Sequence, residues 1–356
     1  MSFFTQYAGG NGLLKRNRII YIPYYEKGAQ TNEYIIHMIR LLEKKYIVKG
    51  NLAEPIEFLS MLKTNAVFLN WEEDYLDKKR KIQIFLHKVF GAQIIWVFHN
   101  RMPHYEGIKK EMDLRKNMIW LADQASHIVL HSRSSERYIP HYNKNKAKAI
   151  YVPHLMYERK SVEFQISEFR RKYEIEEDDF VFAMFGFMKP YKHFEDGIKA
   201  FQELKLKNAK LILAGSSDNS EYARYLKQLC VGCRDIILDF RYIPNVTLNA
   251  ILGISDVIVI PYLNHSSMNS GVMIQAFSNA RTVIVPNICM AKDFAPYKFL
   301  YRYRTSLDKA MRKAYENGKD INREMGRYAY EYVMKNNNEQ SVETKLYALL
   351  DHSMRV

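Results

Sequence analysis

Two loops of this chain carry residue types that suit the binding of a diphosphate. The turn 269–271 (Asn-Ser-Gly) offers a hydroxyl and close backbone approach, directly before a helical pattern over 272–278. The other loop begins at Gly186 and places Lys189 and Lys192 before a second helical pattern. Ammonium groups and the free N–H groups of a helix start both stabilise a phosphate anion. Each loop alone also fits a simpler interpretation. The turn 269–271 could be an ordinary helix cap, and the two lysines of the other loop could be solvated at the surface.

Histidines mark the ends of several apolar runs in the first half of the chain. His99 closes the run 93–100, where a histidine could carry a proton or hydrogen-bond a sugar hydroxyl. Most single histidines have only a structural role, and this interpretation stays open for His99. His131 and His154 also follow apolar runs, but each could simply satisfy its own loop.

The acidic residues and cysteines lack the spacing of a metal site. No Asp-X-Asp occurs, so lysines and helix N-termini would have to neutralise a bound diphosphate, and we expect neither a metal nor another cofactor. Cys230 and Cys233 form a single CxxC without a second pair or a histidine at zinc spacing. We interpret them as small apolar residues at a helix end, where the dipole opposes a thiolate.

The elements that would position these residues alternate regularly along the chain. Apolar runs rich in Ile and Val are separated by helical patterns, which is typical of parallel βαβ units. The predicted strands lie at 18–25, 66–71, 93–100, 126–132 and 149–155, then, after a polar stretch, at 180–187, 210–217, 235–242, 256–262 and 282–286. The sequence thus predicts an α/β fold of two doubly wound, Rossmann-like domains, 1–157 and 158–356, which face each other across a cleft. Ligands of such sheets lie outside the carboxyl ends of the strands. The charged helical end of the chain is a candidate to pack back on the first domain.

Composition limits the partners and the location of the protein. A hydrophobic content of 47% excludes a disordered chain, and a net charge of +14 indicates an anionic partner. Nucleic acid, acidic lipid and phosphorylated small molecules all fit that charge. Three cysteines and an N-terminal segment without a long apolar core favour the reducing cytoplasm. No run of about 18 apolar residues could span a bilayer, although peripheral attachment stays open.

One helical pattern has a strongly basic start. Apolar residues recur at helical spacing over 82–90, so this helix could lie in an anionic membrane interface or pack on the first sheet with a solvated lysine end. The basic residues assigned to this membrane or acceptor side are Lys78, Lys79, Arg80 and Lys81.

The motifs, taken in order over almost the whole chain, resemble those of nucleotide-sugar glycosyltransferases of the GT-B fold. The similar family is the large retaining group that builds bacterial surface polysaccharides. GFMKPYKHFEDGIKAFQEL resembles its Gly-Arg to Lys-Gly loop and helix, SDVIVIPY its penultimate strand, and NSGVMIQAFSNARTVIVP its Ser-Gly turn, helix and strand. In the first half, NEYIIHMIRLL, AVFLNW and IIWVFHNRMPH resemble an Asn-X-Tyr helix, a strand that ends in Trp, and a Thr-X-His-Asn-X-X-Pro-His segment.

This resemblance implies a function and a set of site residues. The protein would move a sugar from a UDP- or GDP-linked donor to a lipid-linked glycan, with retention of the anomeric configuration and without a metal. Lys192 would bind the donor diphosphate and His99 would contact the donor sugar from the opposite domain, so these two are the catalytic candidates. The donor-binding residues implied are Gly186, Lys189, Lys192, Asn269, Ser270, Gly271 and Gln275.

Three positions depart from the family pattern and keep a second hypothesis open. The loop arginine of the family falls on Phe187, and its two glutamates fall on Ser267 and Gln275. A non-catalytic GT-B-like subunit that binds a glycan or a partner would tolerate these changes. A basic nucleic-acid-binding protein is a weaker third hypothesis, because the sequence contains no recognised module, and we expect no nucleic-acid partner. The expected location is the cytoplasm, with peripheral attachment at the inner face of the cell membrane.

Overall fold

The computed structural model describes residues 17–23, 32–53, 57–101, 108–142, 148–159, 163–262 and 268–351. In the first half, the strands are β1 (Arg18–Ile22), β2 (Ile47–Lys49), β3 (Thr64–Asn70), β4 (Gln93–Val97), β5 (His127–Leu130) and β6 (Lys148–Tyr151). In the second half, they are β7 (Phe180–Phe185), β8 (Ala209–Ala214), β9 (Ile236–Asp239), β10 (Val257–Val259), β11 (Thr282–Pro286) and β12 (Tyr301–Tyr303).

Helices connect these strands and close the chain. The first domain has α1 (Glu33–Glu43), α2 (Phe58–Leu62), α3 (Lys78–Val89) and α4 (Ile108–Gln124). The second has α5 (Glu163–Lys172), α6 (Phe194–Leu204), α7 (Ser220–Leu229), α8 (Asn245–Ile254), α9 (Gly271–Ser278), α10 (Cys289–Phe294), α11 (Leu307–Glu316) and α12 (Gly318–Asn336), and α13 (Glu339–Asp351) ends the described chain.

The strands form two parallel sheets of six strands each, in the orders β2-β1-β3-β4-β5-β6 and β12-β11-β10-β7-β8-β9. Every residue of β3, β4 and β7 is buried, because helices cover both faces of each sheet. Apolar side chains on the two faces of each sheet form separate core clusters. The predicted fold class, two doubly wound α/β units, is therefore confirmed.

The edge strands β2 and β12 are absent from the sequence-based prediction. Each has three residues, and at least one of them is exposed, so neither produces the continuous apolar run by which the central strands were identified. Most of the other strands are shorter at the carboxyl end than predicted, because those residues belong to the loops that form the cleft.

Contacts between the domains come from helices α10 and α13 of the second half. Apolar residues of α13, among them Leu346 and Leu350, lie in a core cluster of the first domain. The Asp293 carboxylate of α10 accepts hydrogen bonds from the backbone N–H groups of Arg133 and Ser134 at 2.7 and 3.0 Å. It thereby caps the 3₁₀ segment Arg133–His141 of the opposite domain, where free N–H groups favour an anion.

Candidate active site

The loop after β7 is held by the neighbouring strand and carries Lys192. The N–H of Gly186 donates to the carbonyl of Ala214 at 3.0 Å, which continues the β7–β8 ladder by one residue. The N–H of Met188 donates to Ser216 at 2.8 Å, and the Met188 side chain is fully buried. A short 3₁₀ turn then leads into α6, so Lys192 stands at the cleft end of a fixed loop.

The turn before α9 forms a regular helix start. The Ser270 side chain accepts the N–H of Met273 at 3.2 Å, which is the helix cap that the sequence also allowed. The N–H groups of Gly271 and Val272 belong to the first turn, where no intrahelical acceptor exists. Gln275 lies one turn further on the same face of α9 and is half-buried. The first-turn N–H groups of α9 therefore have no acceptor within their own helix and are suited to an anion.

The two loops meet at Gly186. A Cβ atom built on Gly186 would lie 3.6 Å from the Lys192 Nζ and 3.8 Å from a methyl group of Val272. The backbone of Gly186 has a φ of +111°, a conformation that favours glycine. The ammonium group and the first turn of α9 thus border one space, as expected for a diphosphate site.

Lys192 lies in this space, and the part of the chain that the structure describes supplies no counter-ion for it. Burial, together with the charge of Lys189, lowers the pKa of Lys192 to about 8. Among the described residues, no carboxylate lies within ion-pair distance of its Nζ, which sits 5.6 Å from the centre of the Tyr262 ring. Lys189 differs, since its Nζ lies 3.3 Å from Asp218 and 5.2 Å from the ring centre of Phe187. A bound anion would remove the electrostatic cost of placing Lys192 here.

His99 faces the α9 turn from the first domain. The Asn269 side-chain amide donates to the His99 carbonyl at 3.3 Å, a direct contact across the cleft. The imidazole is stacked on Trp71 with 4.0 Å between ring centres, and its Nε2 is 3.0 Å from the Asn70 Oδ1. Asn70 Nδ2 is itself bonded to the Ile22 carbonyl, so Oδ1 is the acceptor and His99 Nε2 the donor.

A group of aromatic side chains beside His99 was not predicted as a unit. Tyr34 of α1 contacts the rings of His99, His131 and His154 at centre distances of 5.0 to 5.4 Å. A Cβ on Gly271 would lie 3.1 Å from the Tyr157 hydroxyl and 3.8 Å from His154 Nε2. His154 and Tyr157 therefore border the start of α9. The sequence signals for this group were a histidine after each of β5 and β6 and the tyrosine of the Asn-X-Tyr pattern, which is Tyr34.

These histidines are neutral near physiological pH. Burial, reinforced by His131 and His154, holds the pKa of His99 well below its ordinary value of 6.5, and burial lowers that of His131 to about 4. We expect the His99 Nε2–H tautomer to persist as the pH falls from 8 through 6.5, because burial lowers the pKa of the imidazole well below that value. Two-dimensional NMR of ¹⁵N-labelled imidazoles measures this directly. Titration of His99 near pH 6.5 would contradict the buried arrangement.

The four basic residues at the start of α3 lie in different environments. The Arg80 guanidinium donates to the buried Glu72 carboxylate at 2.9 Å, so Arg80 has a structural partner. The Lys81 Nζ lies 5.6 Å from the centre of the Trp120 ring on α4. Lys78 and Lys79 are exposed. These residues lie on the helix that follows β3 and outside the diphosphate space.

The next features are the polar groups that could bind a metal ion and the cysteines of the CxxC pattern. Among the described residues, His193, Glu195 and Asp196 have ligand atoms within 4.8 Å of one another, and Glu195 also accepts the Tyr222 hydroxyl. Such polar groups are common without an ion, and metal independence stays a prediction. Cys230 is buried at the end of α7, and burial raises the pKa of its thiol to about 11, which fits a structural role.

Comparisons with known proteins bear on the second domain and on the whole fold. Residues 165–332 match the family model described as Glycosyl transferases group 1. No curated protein sequence matches the chain.

Solved structures resemble the chain over nearly its full length. HepE of Anabaena in complex with UDP has a TM-score of 0.73 and 11% identity, over 94% of this chain and 100% of its own. Sucrose-phosphate synthase of Thermosynechococcus elongatus gives 0.71 and 13%, over 95% and 99% of the two chains. The E. coli trehalose-6-phosphate structure bound with UDP-2-fluoro glucose gives 0.68 and 10%, over 94% and 99%. The chain thus has the GT-B fold of two Rossmann-like domains, and residues 165–332 match the glycosyl transferases group 1 family.

Proposed function

We propose that the protein is a glycosyltransferase that moves a sugar from a nucleotide diphosphate donor to a glycan acceptor. The observation that carries the proposal is the meeting of Lys192 and the first turn of α9 at Gly186, opposite His99. UDP or a UDP-sugar is bound in four of the similar structures, which supports a UDP-linked donor over a GDP-linked one.

The charge distribution suits departure of the nucleotide diphosphate. When the bond between the sugar carbon and the β-phosphate oxygen breaks, negative charge grows on the diphosphate. Lys192 and the N–H groups at the start of α9 stabilise that charge in a cleft shielded from water. A retaining transfer needs no protein base if the leaving phosphate oxygen accepts the proton of the acceptor hydroxyl. His99, which is neutral and held by Asn70, would orient the sugar by a hydrogen bond.

We also propose, as finer points, a lipid-linked acceptor in bacterial surface-polysaccharide synthesis, no metal cofactor, and action at the cytoplasmic face of the membrane. Among the described helices, none has the length and apolar composition needed to cross a bilayer. The basic start of α3 supports peripheral attachment, because anionic lipid attracts lysine side chains.

Calorimetric titration with UDP, GDP and their sugar conjugates tests the proposed donor. We expect UDP-linked compounds to bind in the presence of EDTA and Lys192→Ala to weaken that binding. Lys199→Ala, which removes an exposed charge on the following helix α6, should leave it unchanged. Absence of binding by every nucleotide, with the fold intact, would instead support a non-catalytic subunit. That second hypothesis rests on Phe187, which is 42% exposed where the resemblance implies an arginine.

A further inference from the structure

A polar cavity lies at the end of the second sheet opposite to the candidate diphosphate site. Its volume is about 300 Å³, and its walls come from the end of α5, the segment before β7, the α8–β10 turn, the residue before β11 and the start of α12. The cavity thus borders the amino ends of β7, β10 and β11, whereas Gly186 follows the carboxyl end of β7. The length of β7 places about 20 Å between the two sites.

Most of the residues that line the cavity are charged. Four are cations and two are carboxylates, namely Arg170, Arg281, Lys319, Arg323, Glu177 and Asp256. Arg323 is exposed, and its guanidinium lies 3.3 Å from the exposed carboxylate of Asp320. The other three cations are half-buried, and we call Arg170, Arg281 and Lys319 the inner cations. Within the described part of the chain, no carboxylate lies at ion-pair distance from any inner cation.

Backbone carbonyls fix two of the inner cations at the mouth of the segment before β7. The Arg170 guanidinium donates to the carbonyl of Glu176 at 2.8 Å, and the Lys319 ammonium donates to that of Glu177. A guanidinium has five N–H donors and an ammonium has three, so each side chain keeps donors for a further acceptor. The two cations are therefore held in place without being neutralised.

Arg281 caps the end of α8. Its Nε and Nη2 donate to the carbonyls of Leu252 and Gly253 at 2.6 and 2.7 Å, and its Nη1 donates to the Ala280 carbonyl at 3.4 Å. The last carbonyls of a helix have no partner within the helix, so capping is a sufficient structural role for this side chain. It uses three of the five N–H donors, and the other two remain for a ligand.

The charge of the cavity stays positive when the carboxylates that face it are counted. The Asp256 carboxylate is half-buried and accepts the N–H of Val181 at 2.8 Å, so the three inner cations exceed it by two charges. At the exposed rim, Arg323 and the nearby Arg159 balance Glu177 and Asp320. The cavity therefore has about two positive charges before the helix ends are considered.

Other nearby groups reduce this surplus without removing it. Asp178 is bonded to Asn208 at 3.0 Å and Asp179 to the Glu176 N–H at 2.9 Å, and neither lines the cavity. The ends of α5 and α8 each carry about half a negative charge, so about one positive charge remains. Burial lowers the pKa of Arg281 to about 10 despite the Asp256 carboxylate. A bound anion would reduce the electrostatic cost of placing three cations together.

We propose that this cavity binds the phosphate group of a small phosphomonoester, between Arg170, Arg281 and Lys319. Guanidinium groups bind phosphate oxygens through paired N–H donors, and both arginines retain such donors. A phosphate carries about 1.5 to 2 negative charges at pH 7, which is close to the surplus of the inner cations over Asp256. The cavity has the volume of about ten water molecules, so it has room for more than the phosphate group. The proposal does not rest on the proposed function.

Calorimetric titration of the Lys192→Ala protein tests the site, because that variant lacks the lysine of the diphosphate site. The probes are glycerol 3-phosphate, inorganic phosphate and, as a control, glycerol. We expect glycerol 3-phosphate to bind and, near saturation, to raise the melting temperature by about 3 °C or more. Glycerol, or NaCl at equal ionic strength, should have no such effect. Tighter binding of glycerol 3-phosphate supports an ester ligand, and equal binding of inorganic phosphate supports the free ion as the source of the phosphate. Binding of neither would overturn the proposal.

Two substitutions in the same background should change the affinity in opposite directions. Lys319→Gln should weaken phosphate binding about tenfold, because it removes one inner cation. Asp256→Asn keeps an acceptor for the Val181 N–H but removes the facing negative charge, so it should tighten binding about fivefold. A purely structural effect would not produce this tightening. Lys335→Gln, the same change at an exposed position of the same helix, is the matched control and should bind like its parent. Equal affinities for Lys319→Gln and Lys335→Gln would overturn the proposal.

Nucleotide titration separates this inference from the proposed function. With Lys192 intact, Lys319→Gln and Asp256→Asn should bind UDP with the affinity of the wild type, because the cavity lies at the other end of the sheet. If phosphate binds as expected and nucleotides do not, the donor assignment fails and the phosphate cavity stands. If nucleotides bind and the cavity variants leave phosphate binding unchanged, the phosphate cavity fails and the donor assignment stands.

Discussion

Replacing Lys192 with alanine is expected to lower kcat/KM for sugar transfer by about 100- to 1,000-fold, the usual effect of removing one electrostatic contact to a developing anion. The ammonium group lies in the space between Gly186 and the first turn of α9. Its removal deletes a charge that the fold leaves without a carboxylate partner among the described residues, so the melting temperature should change little. Steady-state kinetics with thermal unfolding as a fold control measures both effects.

The pH dependence of donor binding provides a second measurement of the same contact. Because the pKa of Lys192 is about 8 in the unliganded protein, its ammonium form predominates below pH 8 and is lost above it. Nucleotide affinity attributable to Lys192 should therefore be constant below pH 8 and fall by up to about tenfold per unit above it. Lys192→Ala should lose this dependence, while Lys199→Ala should keep it. Near-normal transfer by Lys192→Ala would rule out the phosphate assignment.

The sequence predicts the fold well because buried parallel strands produce continuous apolar runs. It also predicts that Gly186–Lys192 and the turn before α9 share one edge of a sheet, because parallel strands direct their carboxyl ends to the same side. The structure brings these two loops together at Gly186. Sequence order alone was sufficient here, since topology determines the edge of the sheet and the loops are short.

Contacts that depend on the packing of distant segments were not predictable in the same way. Tyr34, His131 and His154 come from three separated segments, and no periodicity links them. The side of α3 that faces the sheet is set by polar bonds to Ala53 and Glu72, so apolar spacing alone could not identify the buried side. Segments 24–31 and 263–267, which contain loop positions such as Ser267, lie outside the described residues.

Substituting Gly215 by alanine is expected to disrupt the loop that carries Lys192, because Gly215 packs against the backbone of Gly186. A Cβ atom on Gly215 would lie 2.0 Å from the carbonyl oxygen of Gly186 and 2.8 Å from its carbonyl carbon. Both glycines have positive φ, +150° for Gly215 and +111° for Gly186, so backbone strain adds to the overlap. The Gly186 peptide must shift, and Lys192 with it. We expect a loss of about 3 kcal/mol of stability or more, a fall in melting temperature of about 6 to 12 °C, and loss of nucleotide binding.

Gly232→Ala is the matched control for this prediction, because it separates strain from overlap. Gly232 also has a positive φ, of +80°, but a Cβ there would meet no atom within 4 Å. Its substitution should cost about 1 kcal/mol from backbone strain alone and leave nucleotide affinity unchanged. Equal melting temperatures and affinities for the two variants would mean that the loops at Gly186 and Gly215 can separate without cost. A large loss confined to Gly215→Ala would show that close approach of these two backbones holds Lys192 at the start of α9.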